Sequence, residues 1–417
     1  MKRLNHTAIF TLYLIYTLDL IGLVFVYVVI PPLILSTDSL MVNPNLPIST
    51  RNLITGLLIA TYPFTQFFAA PILGDLSDRM GRRKILLISS IGTAVTFGLS
   101  GVSIGLNSLP LLFISRFLTG IFAGNLTVAQ ACVGESIPVK QRGQYMAVFS
   151  LVGGIGWTIG PFIAAFLSDH TLLSLFNFST PFWFLGLIFL IGSFLLFALP
   201  KDPIKKGKQK LDLHKVAFNL IQPFKIPNVT KPFIASIVTI FGWMMYQGYL
   251  SPYLIEKYQF NEKWEGYAYV ASSFAWLIGG LVATRWILKH FSPIKSATLP
   301  LLLSGLGIFL YLFAYHSSWI WWLLSIANPM QAIALACFFG LFAVVVPGKH
   351  QGKIFGAWNA GFALACALGP ALSGWLINYN INLPFLVASI ILILSALYYW
   401  RWQLKLSSGT ETKQANS

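Results

Sequence analysis

The stretch Gly74-Asp-Leu-Ser-Asp-Arg-Met-Gly-Arg-Arg-Lys84 joins two long apolar segments, residues 52–73 and 85–105. It carries two carboxylates and four cations, which are costly in hydrocarbon, so it predicts a short polar hairpin at a membrane surface. Lysine and arginine accumulate on the cytoplasmic side of membrane proteins, so the four cations place this hairpin in the cytoplasm. Gly74 and Gly81 permit tight turns there, and Asp78 can cap a helix or pair with a cation.

The composition is that of a membrane protein. Of the 417 residues, 56% are apolar and only 10% are charged, and the mean hydropathy is +0.72. A soluble domain could not bury so much apolar surface, so we expect the chain to cross a membrane many times. The first apolar run, residues 9–32, is too long for a signal-peptide core and is expected to stay as the first helix.

Twelve apolar runs have about the 20 residues that a bilayer helix needs. They lie at about 9–32, 52–73, 85–105, 109–133, 144–167, 180–200, 232–255, 266–288, 296–315, 319–346, 354–378 and 384–401. We therefore predict an all-α membrane protein with twelve transmembrane helices. The longest polar stretch then divides the chain into an N-terminal six-helix bundle (1–200), a basic cytoplasmic linker (201–231), a C-terminal six-helix bundle (232–401) and a cytoplasmic tail (402–417).

The basic residues follow the same topology. With the N-terminus in the cytoplasm, every Lys and Arg falls in a cytoplasmic segment except Arg51, Lys257 and Lys263 outside and Arg116 within the membrane. The net charge of +16 therefore orients the chain and contacts anionic lipid headgroups, and we expect no nucleic-acid partner. An even number of helices places both termini in the cytoplasm. Within the linker, residues 211–220 could form a short amphipathic surface helix.

The two halves of the chain carry a repeat. Residues 137–167 align with residues 346–376 at a constant offset of 209, without gaps and with six identities. The identical positions include the Gly-Pro pairs at 160–161 and 369–370. A parallel repeat at half the chain length predicts two pseudo-symmetric bundles, a central site between them, and alternating access to that site.

Asp19 is the only acidic residue that we place inside a predicted span, roughly 15 Å along the first helix at 1.5 Å per residue. A lone charge there costs at least a few kcal/mol, so it should face a wet cavity or a partner, or be protonated. We predict that Asp19 binds the coupling proton, a cationic substrate, or both in turn. The alternative is a structural acid paired with a neighbouring helix.

Arg116 is the only basic residue that we place in the interior of the membrane. It shares one helix face with Gly120 and Gly124, and these glycines allow a neighbouring helix to approach closely. Because a guanidinium stays charged, Arg116 can favour the ionised form of a nearby carboxyl group. We predict a pair between Arg116 and Asp19, with a purely structural counter-ion as the alternative.

Two of these motifs resemble signatures of the major facilitator superfamily of secondary transporters. The stretch 74–84 resembles the loop between its second and third helices. Leu112-x-x-x-Arg116-x-x-x-Gly120 resembles its fourth-helix signature, with Thr119 in place of the usual glutamine. The resemblance implies the twelve-helix fold and a transport function.

Other stretches point to a branch of that family. Gly156-x-x-x-Gly160-Pro161 resembles the fifth-helix signature of its antiporters, although residues 164–165 are alanines where glycines are usual. Residues 18–22 and 66–71 look like the tetracycline-efflux-type branch of the drug:proton antiporters. The resemblance thus implies export.

The resemblance also implies roles for individual residues. A gating network would contain Gly74, Asp78, Arg79, Gly81 and Arg82, with Glu135 as the partner of Arg82. The residues Gly156, Gly160 and Pro161 would bend and pack the fifth helix. Helices 1, 4, 7 and 10 line the cavity in this family, which makes candidate pocket residues of Tyr16, Asn125, Trp243, Tyr246, Gln247, Asn328 and Gln331.

We therefore predict a monomeric, proton-driven antiporter that exports small amphipathic compounds across the bacterial inner membrane. The alternative within transport is a symporter or uniporter that imports a metabolite, a peptide-like compound or a siderophore. We expect no enzyme, cofactor or metal site, because the sequence has no metal-ligand cluster, phosphate-binding loop or nucleophile constellation. A membrane sensor would carry a larger soluble domain than residues 201–231.

Overall fold

The computed structural model of the chain is all-helical over the residues that it describes. These are residues 6–407 without 37–38, 44, 137–138, 201–221, 227–228, 284–285, 288–289, 291–292 and 347–350. Most of the predicted basic linker, including the proposed amphipathic helix at 211–220, lies outside the described residues.

Fourteen α-helices lie within the described ranges. The N-terminal half contains α1 (His6–Val24), α2 (Val26–Leu35), α3 (Ile48–Met80), α4 (Arg82–Gly105), α5 (Leu109–Phe122), α6 (Asn125–Ser136), α7 (Val139–Ser168) and α8 (Thr180–Leu195). The C-terminal half contains α9 (Thr230–Tyr258), α10 (Glu262–Ile278), α11 (Pro293–Leu310), α12 (Ser318–Val345), α13 (Gln351–Leu376) and α14 (Leu383–Ser407). The last helix therefore continues beyond residue 401, where we expected a tail to begin.

Most of these helices have the length and hydrophobicity of membrane spans. Counting α1 with α2 and α5 with α6 as single runs, nine helices in the described part of the chain could cross a membrane, and Val152–Ser168 of α7 is a shorter apolar helix. Large apolar side chains such as Val95, Leu187 and Phe194 remain exposed on the outside of the bundle. Such a surface suits lipid and not water. The chain is therefore a multi-pass membrane protein.

Two apolar runs that hydropathy predicts as single helices are interrupted. The first turns at Phe25, between α1 and α2, and the fourth is broken at Ala123 and Gly124, between α5 and α6. At the second break the Gly124 amide donates to the carbonyl of Phe122, two residues back, at 2.8 Å. Hydropathy cannot reveal this break, because its cause lies in hydrogen bonds from neighbouring helices.

The charged hairpin is tighter than its sequence suggests. The predicted turn at Gly74 is wrong, because Gly74 lies inside α3, which continues to Met80, and α4 begins at Arg82. Gly81 alone makes the turn, with a positive φ of 99° that glycine adopts without strain. Ion pairs at (i, i+4) spacing, such as Arg79 with Asp75 at 2.6 Å, favour the helical continuation.

The two halves pack mainly through three helix pairs: α13 on α3, α9 on α2, and α10 on α7. We call the end of the bundle with residues 79–84 the basic end and the opposite end the far end. At the far end, a Cβ on Gly56 would lie 2.7 Å from the carbonyl oxygen of Pro370, and one on Gly374 would lie 2.8 Å from that of Asn52. The absence of side chains at both glycines permits this approach.

The two copies of the sequence repeat occupy equivalent positions. In the N-terminal half α7 packs on α1, and in the C-terminal half α13 packs on α9. Gly160 lies against Ile21 and Val24 of α1, whereas Gly369 lies against Met244 of α9. The repeat in sequence therefore corresponds to a repeat in packing.

Candidate functional site

The candidate proton site is built around Asp19 of α1, whose exposure is 1%. Its Oδ1 accepts a hydrogen bond from Nδ2 of Asn125 at 3.1 Å, and the backbone amide of Leu126 also hydrogen-bonds the carboxylate. Its Oδ2 has no hydrogen-bond partner among the described residues. One oxygen is thus held in place while the other is available to a proton or a cation.

The break between α5 and α6 creates this arrangement. Gln66 of α3 donates from Nε2 to the Ala123 carbonyl at 2.9 Å, and the Ser89 hydroxyl of α4 donates to the Phe122 carbonyl. These side chains satisfy carbonyls that the interruption frees, as membrane-embedded backbone requires. The next helix, α6, begins at Asn125 and directs its first-turn amides and the positive end of its dipole toward Asp19.

Arg116 of α5 is fully buried but does not pair with Asp19. Its guanidinium lies over the ring of Tyr62 at 4.8 Å, and its three nitrogens form no hydrogen bond with any described residue. Gly120, one turn further along, brings α5 against α3, because a Cβ there would lie 2.3 Å from the Tyr62 carbonyl oxygen. The predicted ion pair is therefore not formed, and Asn125 takes the position beside Asp19.

A polar chain connects the surroundings of Asp19 to the other half. The Gln130 side chain of α6 hydrogen-bonds the hydroxyl of Tyr16, which lies one turn before Asp19 in α1. The Oε1 of Gln130 accepts a hydrogen bond from Nδ2 of Asn359 in α13 at 2.7 Å. Because Asn125 and Gln130 share α6, a shift of that helix would change the contacts of Asp19 and the bond between the halves together.

The sequence analysis did not select Gln66, Gln130 or Asn359. All three are amide side chains inside predicted spans, where polar groups are costly and tend to have a partner. That rule would have identified them as candidates, although it could not have identified their partners.

Part of the predicted pocket lies at an aromatic cluster between the halves. Trp243 of α9 contacts Trp276 of α10 with ring centroids 5.5 Å apart, and Trp276 stacks on Trp157 of α7 at 6.1 Å. Gln247 and Gln331 are buried in the same half, and each has an amide oxygen without a partner in the described part of the chain. Flat aromatic faces and free amide groups are the features that a pocket for amphipathic molecules requires.

Two other predicted pocket residues connect helices within the C-terminal half. Tyr246 shares a hydrogen bond with the Tyr311 hydroxyl at 3.0 Å and also hydrogen-bonds Asn328. Asn328 in turn accepts a hydrogen bond from the Ser272 hydroxyl at 2.7 Å. These contacts join α9, α10, α12 and the turn after α11. In this conformation Tyr246 and Asn328 therefore stabilise their own half.

The predicted gating residues surround the tight turn at Gly81. Arg82 pairs with Asp78 and donates to the Ser77 hydroxyl. Gly74 lies beside α6, where a Cβ would be 3.8 Å from Thr127. Glu135 belongs to α6, but its side chain, and with it the predicted contact to Arg82, lies outside the described side chains.

The glycines of α7 lie against α1, which carries Asp19. A Cβ on Gly156 would lie 3.0 Å from the Thr17 carbonyl oxygen, and one on Gly160 would lie 2.5 Å from the Val24 side chain. Pro161 follows inside α7, which runs without interruption from Val139 to Ser168. The two glycines therefore allow α7 and α1 to pack at close range.

Asp19 is not the only deeply buried acid, contrary to our expectation. Glu265 is 1% exposed and accepts a hydrogen bond from the Ser251 hydroxyl of α9. The reason is that α10 begins four residues before the predicted boundary at 266, because Asn261 caps it by accepting a hydrogen bond from the Trp264 amide at 3.1 Å.

Comparison with known proteins agrees with this geometry. The family model of the Major Facilitator Superfamily matches residues 12–346 and 329–416. The class E tetracycline resistance protein of Escherichia coli is 23% identical over 77% of this chain and 78% of its own length. The quinolone resistance protein NorA of Staphylococcus aureus is 25% identical over 84% of this chain and 88% of its own length. The xylose transporter XylE of E. coli shares the fold, with a TM-score of 0.72 and 17% identity over 94% of this chain and 97% of its own.

The chain belongs to the major facilitator superfamily, a family of membrane transporters. Its relatives include tetracycline and quinolone resistance proteins. The comparisons therefore confirm the resemblance of the sequence motifs to the drug:proton antiporters of this superfamily.

Proposed function

We propose that the chain is a proton-coupled efflux transporter for small amphipathic compounds and works by alternating access. The observation that carries this proposal is the buried Asp19, which Asn125 holds by one oxygen while the other has no described partner. A carboxylate in this setting can exchange a proton for a cationic group, which is the chemical requirement for antiport. The resistance proteins among the relatives support export as the direction.

The proposal includes the topology. Treating α1 with α2 and α5 with α6 as interrupted spans, and adding α7, α10 and α13 to the nine apolar helices, gives twelve crossings. The proposed bundles are then 1–200 and 232–401, and the clustered cations favour a cytoplasmic location for both termini. We infer a monomer in the bacterial inner membrane, in contact with anionic lipids through its basic end.

The proposal also assigns a gate at the basic end. Asp78, Arg79 and Arg82 lie around the single-residue turn at Gly81, and α3 passes α6 at Gly74. Since α6 carries Asn125, a movement of this turn would be transmitted to Asp19. We propose that these charged contacts, together with Glu135, latch one conformation and break during the switch.

Proton flux in everted, acid-loaded vesicles tests the function. A panel of lipophilic cations, tetracyclines and quinolones is added to vesicles with the wild-type chain, and the lumenal pH is followed. We expect at least one compound to discharge the acidity in wild type but not in Asp19→Asn. The matched control is Asp169→Asn, a partly exposed carboxylate in the turn between α7 and α8, which should behave as wild type. Equal discharge by wild type and Asp19→Asn would refute the role of Asp19.

Symport or uniport is the alternative. One solved structure with this fold is described as a proton:xylose symporter, so the fold alone is compatible with import. A symporter moves proton and substrate in the same direction, so substrate added outside vesicles without a gradient would acidify the lumen. Lumenal acidification by any compound, with no discharge of acid-loaded vesicles, would favour this alternative.

A further inference from the structure

A second carboxylate is held by an amide side chain, and this pair lies at the far end between the two halves. Glu256 lies near the end of α9, and the Asn52 side chain of α3 hydrogen-bonds it across the interface. Its Oε1 is buried and has no hydrogen-bond partner among the described residues, and the same holds for Oδ1 of Asn52. The arrangement is like that of Asp19 and Asn125, where one oxygen of the acid and the amide oxygen also have no described partner.

The pair of Glu256 and Asn52 lacks one hydrogen. An ionised carboxylate only accepts hydrogen bonds, whereas a protonated carboxyl group also donates one through its O–H, and an amide oxygen can accept it. A carboxyl group and an amide can therefore form two hydrogen bonds, one in each direction. Because a buried acceptor without a donor is unfavourable, one proton on Glu256 would stabilise both of the buried oxygens.

The neighbouring cations are directed to other groups. Lys257, the next residue in α9, donates to the Tyr253 hydroxyl at 2.5 Å. Arg51, the residue before the amide in α3, donates to the Ser36 carbonyl at 2.9 Å. Neither of the ion pairs between described side chains includes Glu256. A proton is therefore the cation that this carboxylate can still acquire.

Few other groups near Glu256 can titrate around neutral pH. The far ends of α2, α12, α13 and α14, which also pack on α9, carry no acidic, basic or histidine side chain. Asp38 and the Glu262 side chain lie outside what the structure describes. Tyrosines ionise only at about pH 10. The remaining described groups on α9, α10 and the turn after α11 are Tyr249, Tyr253, Tyr258, Lys263, Glu265, Tyr269 and Tyr311.

Asn52 belongs to the contact that closes the far end. Its main-chain carbonyl accepts a hydrogen bond from the Tyr249 hydroxyl at 2.9 Å, and the same oxygen is the one that Gly374 approaches. Glu256 follows Tyr249 by seven residues, about two helical turns, so both side chains reach Asn52 from one face of α9. Separation of α3 from α9 and α13 would remove Asn52 from Glu256 and expose the carboxylate to water. The open and closed conformations must therefore differ in their affinity for a proton at Glu256.

We propose that Glu256 is a second proton-binding site, which takes up a proton from the far-end side and thereby closes the far end of the transporter. The inference rests on the alternating access of the proposed function, and it holds for export and import alike. It gives the far end a proton-dependent closure that is separate from the exchange at Asp19.

The proton transfer balances in atoms and charge. An O–H bond of a hydronium ion on the far-end side breaks, and an O–H bond forms at Oε1 of Glu256. Water and a neutral carboxyl group result, and the carboxyl group hydrogen-bonds Asn52 in both directions while the halves are in contact. The proton returns to water when the far end opens.

Spin-label distances measured as a function of pH test the proposal. Labels at Leu40→Cys and Tyr379→Cys, exposed positions in different halves, report on the far end of the full-length chain in lipid nanodiscs. Distances are recorded by pulsed electron spin resonance between about pH 8 and about pH 6, without substrate. The test variants are Glu256→Gln and Glu256→Ala. Asp19→Asn removes the first proton site, and Asp169→Asn is the control at a partly exposed acid.

The closed far end binds the additional proton, so it should gain population as the pH falls. We expect the ratio of open to closed molecules to fall by about three- to tenfold per unit of pH, where tenfold is the limit for a single proton. Wild type, Asp169→Asn and Asp19→Asn should all show this response. Glu256→Gln should lose it and stay closed, because its amide can donate to Asn52 at any pH. Glu256→Ala should lose it and stay more open, because it offers Asn52 no donor.

The proposal is overturned if the wild-type distances do not change with pH, or if the folded Glu256 variants keep the response. It is also overturned if Asp19→Asn abolishes the response while the Glu256 variants retain it. Thermal melting in detergent shows which variants are folded, and either Glu256 variant alone is sufficient for the comparison. The vesicle assay is independent of this one, because a lack of proton discharge would contradict antiport but leave the pH response of the far end unchanged.

Discussion

The glycine contact between α3 and α13 should control opening at the far end. Gly56→Ala places a Cβ 2.7 Å from the Pro370 carbonyl oxygen, and Gly374→Ala places one 2.8 Å from the Asn52 carbonyl oxygen. Real Cβ atoms essentially never approach another atom closer than 3.0 Å. Because both opposing atoms belong to the backbone, the overlap can be relieved only by moving the two helices apart.

The size of the effect follows from this overlap. Forcing an extra methyl group into a closed contact costs about 1–3 kcal/mol, and it costs nothing in a conformation where the far end is open. Since 1.4 kcal/mol is a factor of ten, the ratio of open to closed molecules should rise by about 5- to 150-fold for each variant. The helix propensity that alanine adds over glycine acts in both conformations and cancels.

Distance measurements by pulsed electron spin resonance can detect this shift. Spin labels are attached through Leu40→Cys and Tyr379→Cys, two exposed positions in different halves, after replacement of the three buried native cysteines. We expect a longer distance to gain population in Gly56→Ala and in Gly374→Ala. The control is Gly356→Ala in α13, where a Cβ would meet no atom within 4 Å. Unchanged distances in both test variants would refute the reasoning.

Three further predictions concern the interrupted helix, the tight turn and the bond between the halves. Gln66→Leu leaves the Ala123 carbonyl without its buried donor, so the folded state should lose about 1–3 kcal/mol, measured as a lower melting temperature in detergent. Gly81→Ala should cost about 1–3 kcal/mol in the same assay, because φ is 99° there. Gln130→Ala and Asn359→Ala each remove the 2.7 Å bond between the halves, worth about 0.5–1.5 kcal/mol, and should favour opening at the basic end in spin-label distances.

For each of these three predictions, one experimental result would contradict the reasoning. A Gln66→Leu variant as stable as wild type would show that the break needs no donor from α3. Gly105→Ala, where no atom lies within 4 Å of the new Cβ, is the control for Gly81→Ala, and equal melting temperatures for the two would contradict strain at the turn. Shifts from Gln130→Ala and Asn359→Ala that simply add in the double variant would mean that their bond is not the cause.

Much of the architecture was predictable because its causes are local. An apolar run of about 20 residues is stable only in lipid, and clustered cations stay on one side of it, wherever the rest of the chain lies. The repeat at an offset of 209 indicated duplicated halves, since identical turns and Gly-Pro positions impose the same packing. Asp19 and Arg116 were found for the same kind of reason, because a charge within an apolar run is costly in any fold.

The partners of these charges were not predictable. The opposite charges of Arg116 and Asp19 suggested a pair, but Gln66 and Ser89 hydrogen-bond the carbonyls at a helix break, and Asn125 lies beside Asp19 instead. Those donors come from α3 and α4, which are distant in sequence.

The sequence by itself thus determined the class of protein, its repeated halves and the positions of its buried charges, because hydrophobicity and charge act on each segment separately. Only the tertiary structure decided where the helices break, which amide faces Asp19, that Glu265 is buried, and that the halves touch through Gly56 and Gly374. These features depend on contacts between helices, and a hydrogen bond or close approach between distant residues leaves no periodic signal in either segment.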